Sequence, residues 1–352
     1  MIGLSQNTAL AIVLLVTFLW GSWFQVVKHT GDYPIYAFLS WLYVFSIFIV
    51  WGSIWALHTV MIPKGIWNEI RADIPRTVIV LLCGGLYAVG MQLQLSVVSR
   101  VGLILSSSVT STCSILSGIL LTAVLGGIAE GSSVYLIILA AVLLICGTIV
   151  CQIAGVMRDR QSEGGRRENS RPQAVSPQKA DSQQPQEKPR SHSRDLVILV
   201  VSSAVLIPFY SVASSIGLST DLRPEGFSSF TCMGILSVGA LLGTSVYTAL
   251  RLTQERKWKL FLHPGKGLPM ILAMALIGAF CHFGGNILHS VAAPVVSIVI
   301  ATGIGYSYGM WSYLWGLVYG EFKGAGGRTF GVLGGGILLF AAGVLILTLN
   351  IA

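Results

Sequence analysis

The ionisable side chain lying deepest within an apolar stretch of this sequence is His282. Asn286 follows four residues later, one helical turn along, and His289 lies near the end of the same stretch. A histidine titrates near neutral pH, so His282 is a candidate for relaying a proton through an apolar environment. A neutral histidine bonded to a neighbouring helix is the alternative reading of this residue.

Uncharged polar side chains inside other apolar stretches are candidates for hydrogen bonding to a solute. Gln92 and Asn286 each offer amide donors and an acceptor, which suits a polyhydroxylated molecule. The stretch SSSVTSTCSILSG contains Ser107 and Thr110, and we expect these two hydroxyls to face the solute while most of the others serve close helix packing. Thr302 joins the candidates because it matches a serine in the repeat described below.

Aromatic rings with polar tips are a third kind of candidate, since one surface offers both stacking and a hydrogen bond. Two of these rings lie in WGSW, one lies beside Pro208, and two lie in GYSYGMW. The aromatic candidates for solute contact are Trp20, Trp23, Tyr87, Tyr210, Tyr306 and Trp311. Gly21 and Pro208 mark places where a helix is expected to bend or open, with a passive kink as the alternative.

The elements that position these residues are membrane spans. Hydrophobic residues make up 54% of the 352 residues and charged residues only 10%, with a mean hydropathy of +0.76. Continuous apolar runs of about twenty residues fit helices that cross a bilayer, whereas barrel strands alternate. The predicted spans are 8–28, 36–58, 77–98, 101–127, 133–155, 196–218, 227–250, 268–288, 291–319 and 329–351.

One long polar segment, 156–195, separates the first five predicted spans from the last five. It is rich in Pro, Ser, Gln and charge, which predicts a disordered linker between transmembrane units 1–155 and 196–352. It contains no phosphate-binding loop, so nucleotide hydrolysis is not supported. The six cysteines fall in apolar runs without metal-ligand spacing, and we predict neither a metal nor a cofactor.

The two halves resemble each other. An offset of 194 residues places Gly84 on Gly278 and Gln92 on Asn286. An odd number of spans in each half would give the two copies opposite orientations, as in the inverted repeats of secondary transporters. The expected fold is therefore an all-α integral membrane protein of ten transmembrane helices in two five-helix inverted repeats. Chance similarity between glycine-rich apolar segments is the alternative.

Positive charge is distributed unevenly between the two ends of the predicted spans. Of the 22 Lys and Arg residues, 18 fall on the side that carries the linker, and four fall on the other. Because positively charged loops tend to stay in the cytoplasm, we predict a multi-pass cell-membrane protein with a cytoplasmic linker and both termini outside. The excess charge thus reflects topology, and no nucleic-acid partner is expected.

Near its end the sequence reads WGLVYGEFKGAGGRTFGVLGGGILLFAAGVLIL, which resembles the drug/metabolite transporter superfamily. Glu321 followed seven residues later by Arg328, together with the early FLWGSW and GDYP, is most similar to the rhamnose-proton symporter, glucose-uptake and plant ureide permease group. The resemblance implies a carrier of five plus five helices with a centrally held substrate. We assign Pro208, Glu321 and Arg328 structural roles. The nucleotide-binding-like motif typical of ureide permeases is absent from the central segment.

No Asp or Glu lies inside a predicted span, which favours a neutral solute. We therefore expect a secondary active transporter, not an enzyme, for a sugar-like solute, with a ureide or a nucleobase as the further candidates and protons as a candidate coupling ion. A drug or metabolite exporter of the same superfamily is the alternative, and a membrane sensor or intramembrane enzyme is the alternative from another class. Membrane lipid is the other expected partner, and monomer and homodimer both remain open.

Overall fold

The computed structural model describes the backbone at residues 3–101, 103–169, 193–264 and 267–351, and the side chains of these residues except 98–101, 103–108, 162–169 and 193. Within this part the chain is helical, with two isolated bridges in the loop between 218 and 227. In chain order the α-helices are α1 (Gln6–Ser22), α2 (Ile35–Met61), α3 (Ile66–Ala72), α4 (Ile74–Val101), α5 (Leu103–Gly126), α6 (Val134–Asn169), α7 (Ser193–Val201), α8 (Phe209–Gly217), α9 (Ser229–Glu255), α10 (Trp258–Leu262), α11 (Leu268–Ala279), α12 (Gly285–Val296), α13 (Ile298–Gly305), α14 (Tyr308–Val318) and α15 (Gly327–Leu349).

Nine helical segments among the described residues are long and apolar enough to cross a membrane. Several of them join two helices through a tighter or wider turn, so that the chain stays helical across the junction. The nine segments are Gln6–His29, Ile35–Met61, Ile74–Val97, Val109–Gly126, Val134–Gln161, Arg194–Gly217, Ser229–Glu255, Leu268–Val296 and Gly327–Leu349. The all-helical prediction is confirmed, and the segments indicate a multi-pass membrane protein.

The predicted span 291–319 is not one continuous helix. Helix α12 continues to Val296, and Ser297 then has a φ of 84°, a left-handed backbone conformation that ends the helix. Pro294 explains why the break falls here, because it has no N–H to donate to the carbonyl of Ser290, which instead accepts the hydroxyl of Ser229 at 2.7 Å. The following residues form two short helices, α13 and α14, instead of one long one.

Helical geometry also changes at the two places predicted to bend. A π-helical turn, Ser202–Leu206, precedes Pro208, and the amide of Ile207 reaches back five residues to the carbonyl of Ser202 at 2.8 Å. Just after Gly21, α1 tightens into a 3-10 helix over Trp23–His29. Each change alters which backbone and side-chain groups face the interior.

The predicted linker begins too early. Helix α6 runs on to Asn169, so residues 156–169 are helical instead of disordered. Arg158 bonds to Glu321, and Gln161 accepts hydrogen bonds from the amide of Gly326 at 3.0 Å and from Thr329 at 3.2 Å. Polar composition suggested disorder, but these contacts with the α14–α15 loop stabilise the extension as far as Gln161. The rest of the predicted linker, from 170 to 192, lies outside the described residues.

Small residues bring the central helices into close contact. Gly84 and Gly85 of α4 face Gly239 and Gly243 of α9, and an added Cβ on any of the four would come within 3.4 Å or less of the opposing backbone. Lipid tails are as apolar as the helices, so close packing of this kind is what holds such helices together. It fixes the position of α4, which carries Tyr87, Gln92 and Gln94.

Candidate functional site

Two tyrosine–histidine pairs lie at the centre of the helix bundle. The hydroxyl of Tyr87 is 2.8 Å from Nε2 of His282, and the hydroxyl of Tyr210 is 3.0 Å from Nδ1 of His289. His282 lies in a π-helical turn, Phe280–Gly284, and His289 follows on α12. The two tyrosine rings are 5.7 Å apart, so the pairs form one buried aromatic group.

Two tryptophans of the first span complete this group. Trp20 donates its indole N–H to Oδ1 of Asn286 at 3.0 Å, and its ring lies 5.1 Å from His289. Trp23 meets His282 edge to face at 4.8 Å. We call this group the aromatic cluster, and its members are Trp20, Trp23, Tyr87, Tyr210, His282, Asn286 and His289.

A cavity of about 260 Å³ lies beside the aromatic cluster. Phe24 forms the boundary, because its ring packs 4.0 Å from Trp23 on one side and stacks 6.1 Å from Tyr308 on the other. Toward Leu95 and Thr110 the cavity wall is buried. At its other end the wall contains charged, partly exposed side chains, so that end is the mouth.

Amides and hydroxyls provide the polar part of the cavity wall. Oε1 of Gln25 and Oε1 of Gln94 accept no hydrogen bond within the described part of the chain, although both atoms are buried. Gln152 donates to the hydroxyl of Tyr313. Buried polar atoms normally have partners, so the two amide oxygens are available to a hydrogen-bond donor in the cavity.

An ion network borders the mouth. Glu321 forms ion pairs with Lys28 and with Arg158, the latter at 3.3 Å. Lys28 also lies over the ring of Tyr319 at 4.6 Å, and Arg158 lies over Phe322 at 5.1 Å. The network therefore ties the end of the first span, the extension of α6 and the α14–α15 loop together.

A second cavity, of about 510 Å³, lies at the opposite ends of the helices. Its wall includes Glu130, Asp221, Pro294 and Ser297. His289 is five residues before Pro294 on the same helix, and Trp23 adjoins the first cavity through Phe24. The aromatic cluster thus lies between the two cavities.

Most of the sequence-predicted residues are near this centre. Six of the candidates, Trp20, Trp23, Tyr87, Tyr210, Asn286 and His282, belong to the aromatic cluster. Thr110 lines the first cavity and accepts a hydrogen bond from Ser203 at 3.1 Å. The side chain of Ser107 lies outside the described residues.

Gln92 is not where its match with Asn286 predicted. Its amide nitrogen faces the carbonyl of Tyr36 at 3.4 Å and the hydroxyl of Thr248 at 3.3 Å, between α2 and α9. Gln94, two residues later, faces the cavity instead. A step of two residues turns the side chain by about 200° around a helix, so the two amides cannot share a side.

Three other predicted solute contacts form helix-to-helix bonds or lie apart from the first cavity. Tyr306 bonds to Ser211 at 3.2 Å, and Trp311 donates to Thr17 at 2.8 Å. Thr302 is buried on α13, and its hydroxyl makes no hydrogen bond within the described part of the chain. These positions favour interhelical packing over contact with a solute in the cavity.

Of the residues assigned structural roles, Pro208 and Glu321 have defined contacts. Pro208 follows the π-helical turn, and Glu321 holds the ion network. Arg328 is exposed near the start of α15. The resemblance that paired Arg328 with Glu321 in the sequence therefore does not make the two a structural unit.

Sequence reasoning missed several cavity residues. Gln25, Gln94 and Gln152 are amides within apolar helices. Burying an unpaired amide in an apolar environment costs free energy, and this cost could have marked them as functional candidates, as it did Gln92. Choosing among them requires knowing which side of each helix faces the interior. Phe24, Tyr308 and Ser312 carried no signal that separates them from ordinary packing residues.

The fold of this chain is similar to that of a protein of known structure. No protein-family model matches the sequence, and no curated protein matches it. A solved crystal structure matches with a TM-score of 0.62 at 16% sequence identity, over 99% of this chain and 98% of its own. The chain therefore shares its overall helical fold, from end to end, with a protein of known structure.

Proposed function

We propose that this protein is a secondary active transporter that moves a small neutral polar solute across the cell membrane by alternating access. The observation that carries the proposal is the first cavity, which has an open mouth, a buried inner end and two amide oxygens that accept no hydrogen bond from the described residues. A volume of about 260 Å³ suits a molecule the size of a monosaccharide or a planar heterocycle. The solute is expected to supply the missing hydrogen-bond donors.

The chemistry of the cavity favours a donor-rich solute with a flat or apolar face. Gln25 and Gln94 offer acceptors, while Phe24 and Tyr308 offer ring faces. A sugar fits this combination through its hydroxyl groups and its C–H face, and a ureide or nucleobase fits through its N–H groups and its plane. We place the sugar-like solute first.

A drug or amphiphile exporter is the second candidate. The observation that favours it is the apolar share of the cavity wall, which includes Val27, Leu95 and Phe322. Among the described residues that line this cavity the one carboxylate is Glu321, in the loop at the mouth, which already pairs with two cations. A cationic drug would therefore have to compete with Lys28 and Arg158, which favours the neutral solute.

The helix bounds support a repeat of five plus five helices. An offset of 194 residues carries Ile35–Met61 onto Ser229–Glu255, so that α2 coincides with α9 at both ends. The same offset carries Ile74, where α4 begins, onto Leu268, where α11 begins. Helix α5 then corresponds to α13 and α14 together, which we propose form the tenth crossing in spite of their break.

The packing of the helices supports the same repeat. The offset makes α8 the counterpart of α1, α9 that of α2, α11 and α12 together that of α4, and α15 that of α6. When each helix is replaced by its counterpart, the contact of α1 with α12 becomes that of α8 with α4. The contact of α2 with α11 becomes that of α9 with α4. The contacts of α2 with α9 and of α6 with α15 convert into themselves. This is the relation that two inverted copies would produce.

The positions of the two cavities support alternating access. One cavity lies at each end of the helices, and the aromatic cluster separates them. The first cavity opens on the side of the positively charged loops, so we propose that it faces the cytoplasm. Rearrangement of the cluster, together with opening of one end and closure of the other, would move the solute between them.

A ligand-stabilisation screen on the purified protein tests the proposal. The panel contains monosaccharides, ureides, nucleobases and cationic drugs, and a specific ligand raises the apparent melting temperature by mass action. We expect a neutral, donor-rich compound to stabilise the wild type and to lose its effect in Gln94→Leu. The control is Thr122→Val, since Thr122 bonds to carbonyls of its own helix away from the cavity. Stabilisation only by cationic drugs would favour the exporter, and stabilisation by no compound would contradict both.

A further inference from the structure

Residues 251–262, where α9 ends and α10 follows, form a charged surface that we call the basic corner. It contains four cations, Arg251, Arg256, Lys257 and Lys259, and one carboxylate, Glu255. Arg256 has a φ of 54° and turns the chain sharply between the two helices. The basic corner lies on the same side of the molecule as the mouth of the first cavity, among the positively charged loops.

The single carboxylate balances only part of this charge. Glu255 forms ion pairs with Arg251 and, at 2.8 Å, with Lys257, and it accepts a hydrogen bond from Tyr36 at 2.8 Å. Arg256 and Lys259 are exposed and form no ion pair within the described part of the chain. The basic corner therefore carries an excess of positive charge that has no anionic partner in the described protein.

Apolar side chains lie among these cations. Trp258, Leu260 and Leu262 are 42%, 37% and 62% exposed. Phe261 anchors α10 by stacking on Trp41 of α2 at 5.5 Å, and Trp258 donates its indole N–H to Thr253 at 3.1 Å. A partly exposed tryptophan with exposed leucines and flanking cations is the composition of a segment that lies at the membrane–water interface.

We propose that the basic corner binds the phosphate-bearing headgroup of an anionic membrane lipid, with Arg256 and Lys259 as its principal contacts. Charge complementarity carries the proposal, because anionic lipids are concentrated in the cytoplasmic leaflet and attract basic residues next to a span. The exposed Trp258, Leu260 and Leu262 would contact the acyl chains below the same headgroup. This inference rests on the cytoplasmic orientation proposed above and not on the proposed transport activity.

The opposite end of the molecule provides a matched control. There α3 carries an exposed Trp67, and the neighbouring cations Lys64 and Arg71 lie near Glu69 and Asp73. Glu69 accepts hydrogen bonds from Ser228, and Asp73 pairs with Arg76 at 3.3 Å. Charge is more nearly balanced at this end, so we expect little preference for an anionic lipid there.

The experiment measures the melting temperature of the full chain in lipid nanodiscs of phosphatidylcholine, with and without phosphatidylglycerol. We expect phosphatidylglycerol to raise the melting temperature of the wild type and of Lys64→Gln/Arg71→Gln by several degrees, and to raise that of Arg256→Gln/Lys259→Gln by less than half as much. The increase is also expected to shrink in high salt, which screens exposed charges. Equal melting temperatures in phosphatidylcholine alone would show that the double variant still folds.

Three outcomes would overturn the proposal. The first is no stabilisation of the wild type by phosphatidylglycerol, and the second is equal stabilisation of both double variants. The third concerns free phosphate. Inorganic phosphate added to phosphatidylcholine nanodiscs is expected to leave the melting temperature unchanged. An increase in melting temperature equal to that from phosphatidylglycerol would assign the site to a soluble anion. Retention of phosphatidylglycerol by the wild type, and its loss from Arg256→Gln/Lys259→Gln in native mass spectrometry, would support the lipid.

Discussion

Lys28 forms an ion pair with Glu321 across the mouth of the first cavity, and the two residues belong to opposite ends of the chain. Arg158, from the extension of α6, binds the same carboxylate. Under the proposed transport function, a solute that enters or leaves from this side would pass these three side chains. The network is thus the place where the first span, the α6 extension and the α14–α15 loop can move together or apart.

Glu321→Gln removes the carboxylate that Lys28 and Arg158 share, while Arg158 keeps its ion pair with Asp159 at 2.7 Å. Because the side chains of Glu321 and Lys28 are partly exposed, we expect a modest loss of stability, about 1 kcal/mol, seen as a lower melting temperature. Arg328→Gln is the control, since Arg328 is exposed, and its effect should stay within about 0.5 kcal/mol. A larger effect from Arg328→Gln than from Glu321→Gln would contradict this description of the mouth.

Gln94→Leu removes an unpaired acceptor from the cavity wall without breaking a hydrogen bond within the described protein. A bound solute would lose a partner, so we expect affinity to fall by about 1–3 kcal/mol, roughly 5- to 150-fold, with little change in the melting temperature. Titration calorimetry with the compound selected by the stabilisation screen measures the change.

Gln92→Leu is the matched variant for Gln94→Leu. Gln92 holds the carbonyl of Tyr36 and the hydroxyl of Thr248, away from the cavity. Its replacement should lower stability by about 1 kcal/mol and leave solute affinity unchanged. If Gln92→Leu weakened binding as much as Gln94→Leu does, the assignment of the two amides to different sides of α4 would be wrong.

His282→Gln tests whether the aromatic cluster carries protons. If His282 relays a proton between the two cavities, the dependence of solute uptake on pH should flatten in this variant, whereas Cys281→Ser beside it should keep the wild-type profile. Tyr87→Phe removes the hydroxyl bound to Nε2 of His282 and should alter the same profile. Unchanged profiles in both His282→Gln and Tyr87→Phe would leave the histidine as a packing residue.

Cysteine labelling of whole cells tests the orientation. In a cysteine-free background, Ser5→Cys near the N-terminus should react with a membrane-impermeant maleimide, whereas Ser176→Cys in the central segment should react only after the cells are permeabilised. The 18 of 22 cations on the side of that segment are the reason for this expectation. Labelling of Ser176→Cys in intact cells would reverse the orientation.

Composition and apolar run length were enough to predict a helical membrane protein and most of its helix positions. They failed at 291–319, because a continuous apolar run does not reveal that Pro294 and Ser297 break the helix inside it. They also failed at 156–169, where α6 continues and Gln161 bonds to the α14–α15 loop. In both places local backbone or side-chain chemistry outweighs average composition.

The candidate site was predictable in part. His282 was singled out as an ionisable side chain deep in an apolar stretch, and Tyr87 and Tyr210 as rings with polar tips, and the fold brings the three together. The sequence does not distinguish the cavity amides Gln25, Gln94 and Gln152 from Gln92, because the packing partners of a helix decide which of its sides faces the cavity. Tyr306 and Trp311 are, like Tyr87, aromatic rings with polar tips inside apolar stretches, but their polar tips bond to other helices.

Solute exchange across a membrane tests the central claim most directly. The wild type, Gln94→Leu and Thr122→Val are reconstituted into proteoliposomes loaded with the unlabelled compound that the stabilisation screen selects, and uptake of the radiolabelled compound is followed. A carrier should accumulate the label transiently by counterflow in the wild type and in Thr122→Val, and much less in Gln94→Leu. Binding of the compound without any exchange above that of protein-free liposomes would contradict transport.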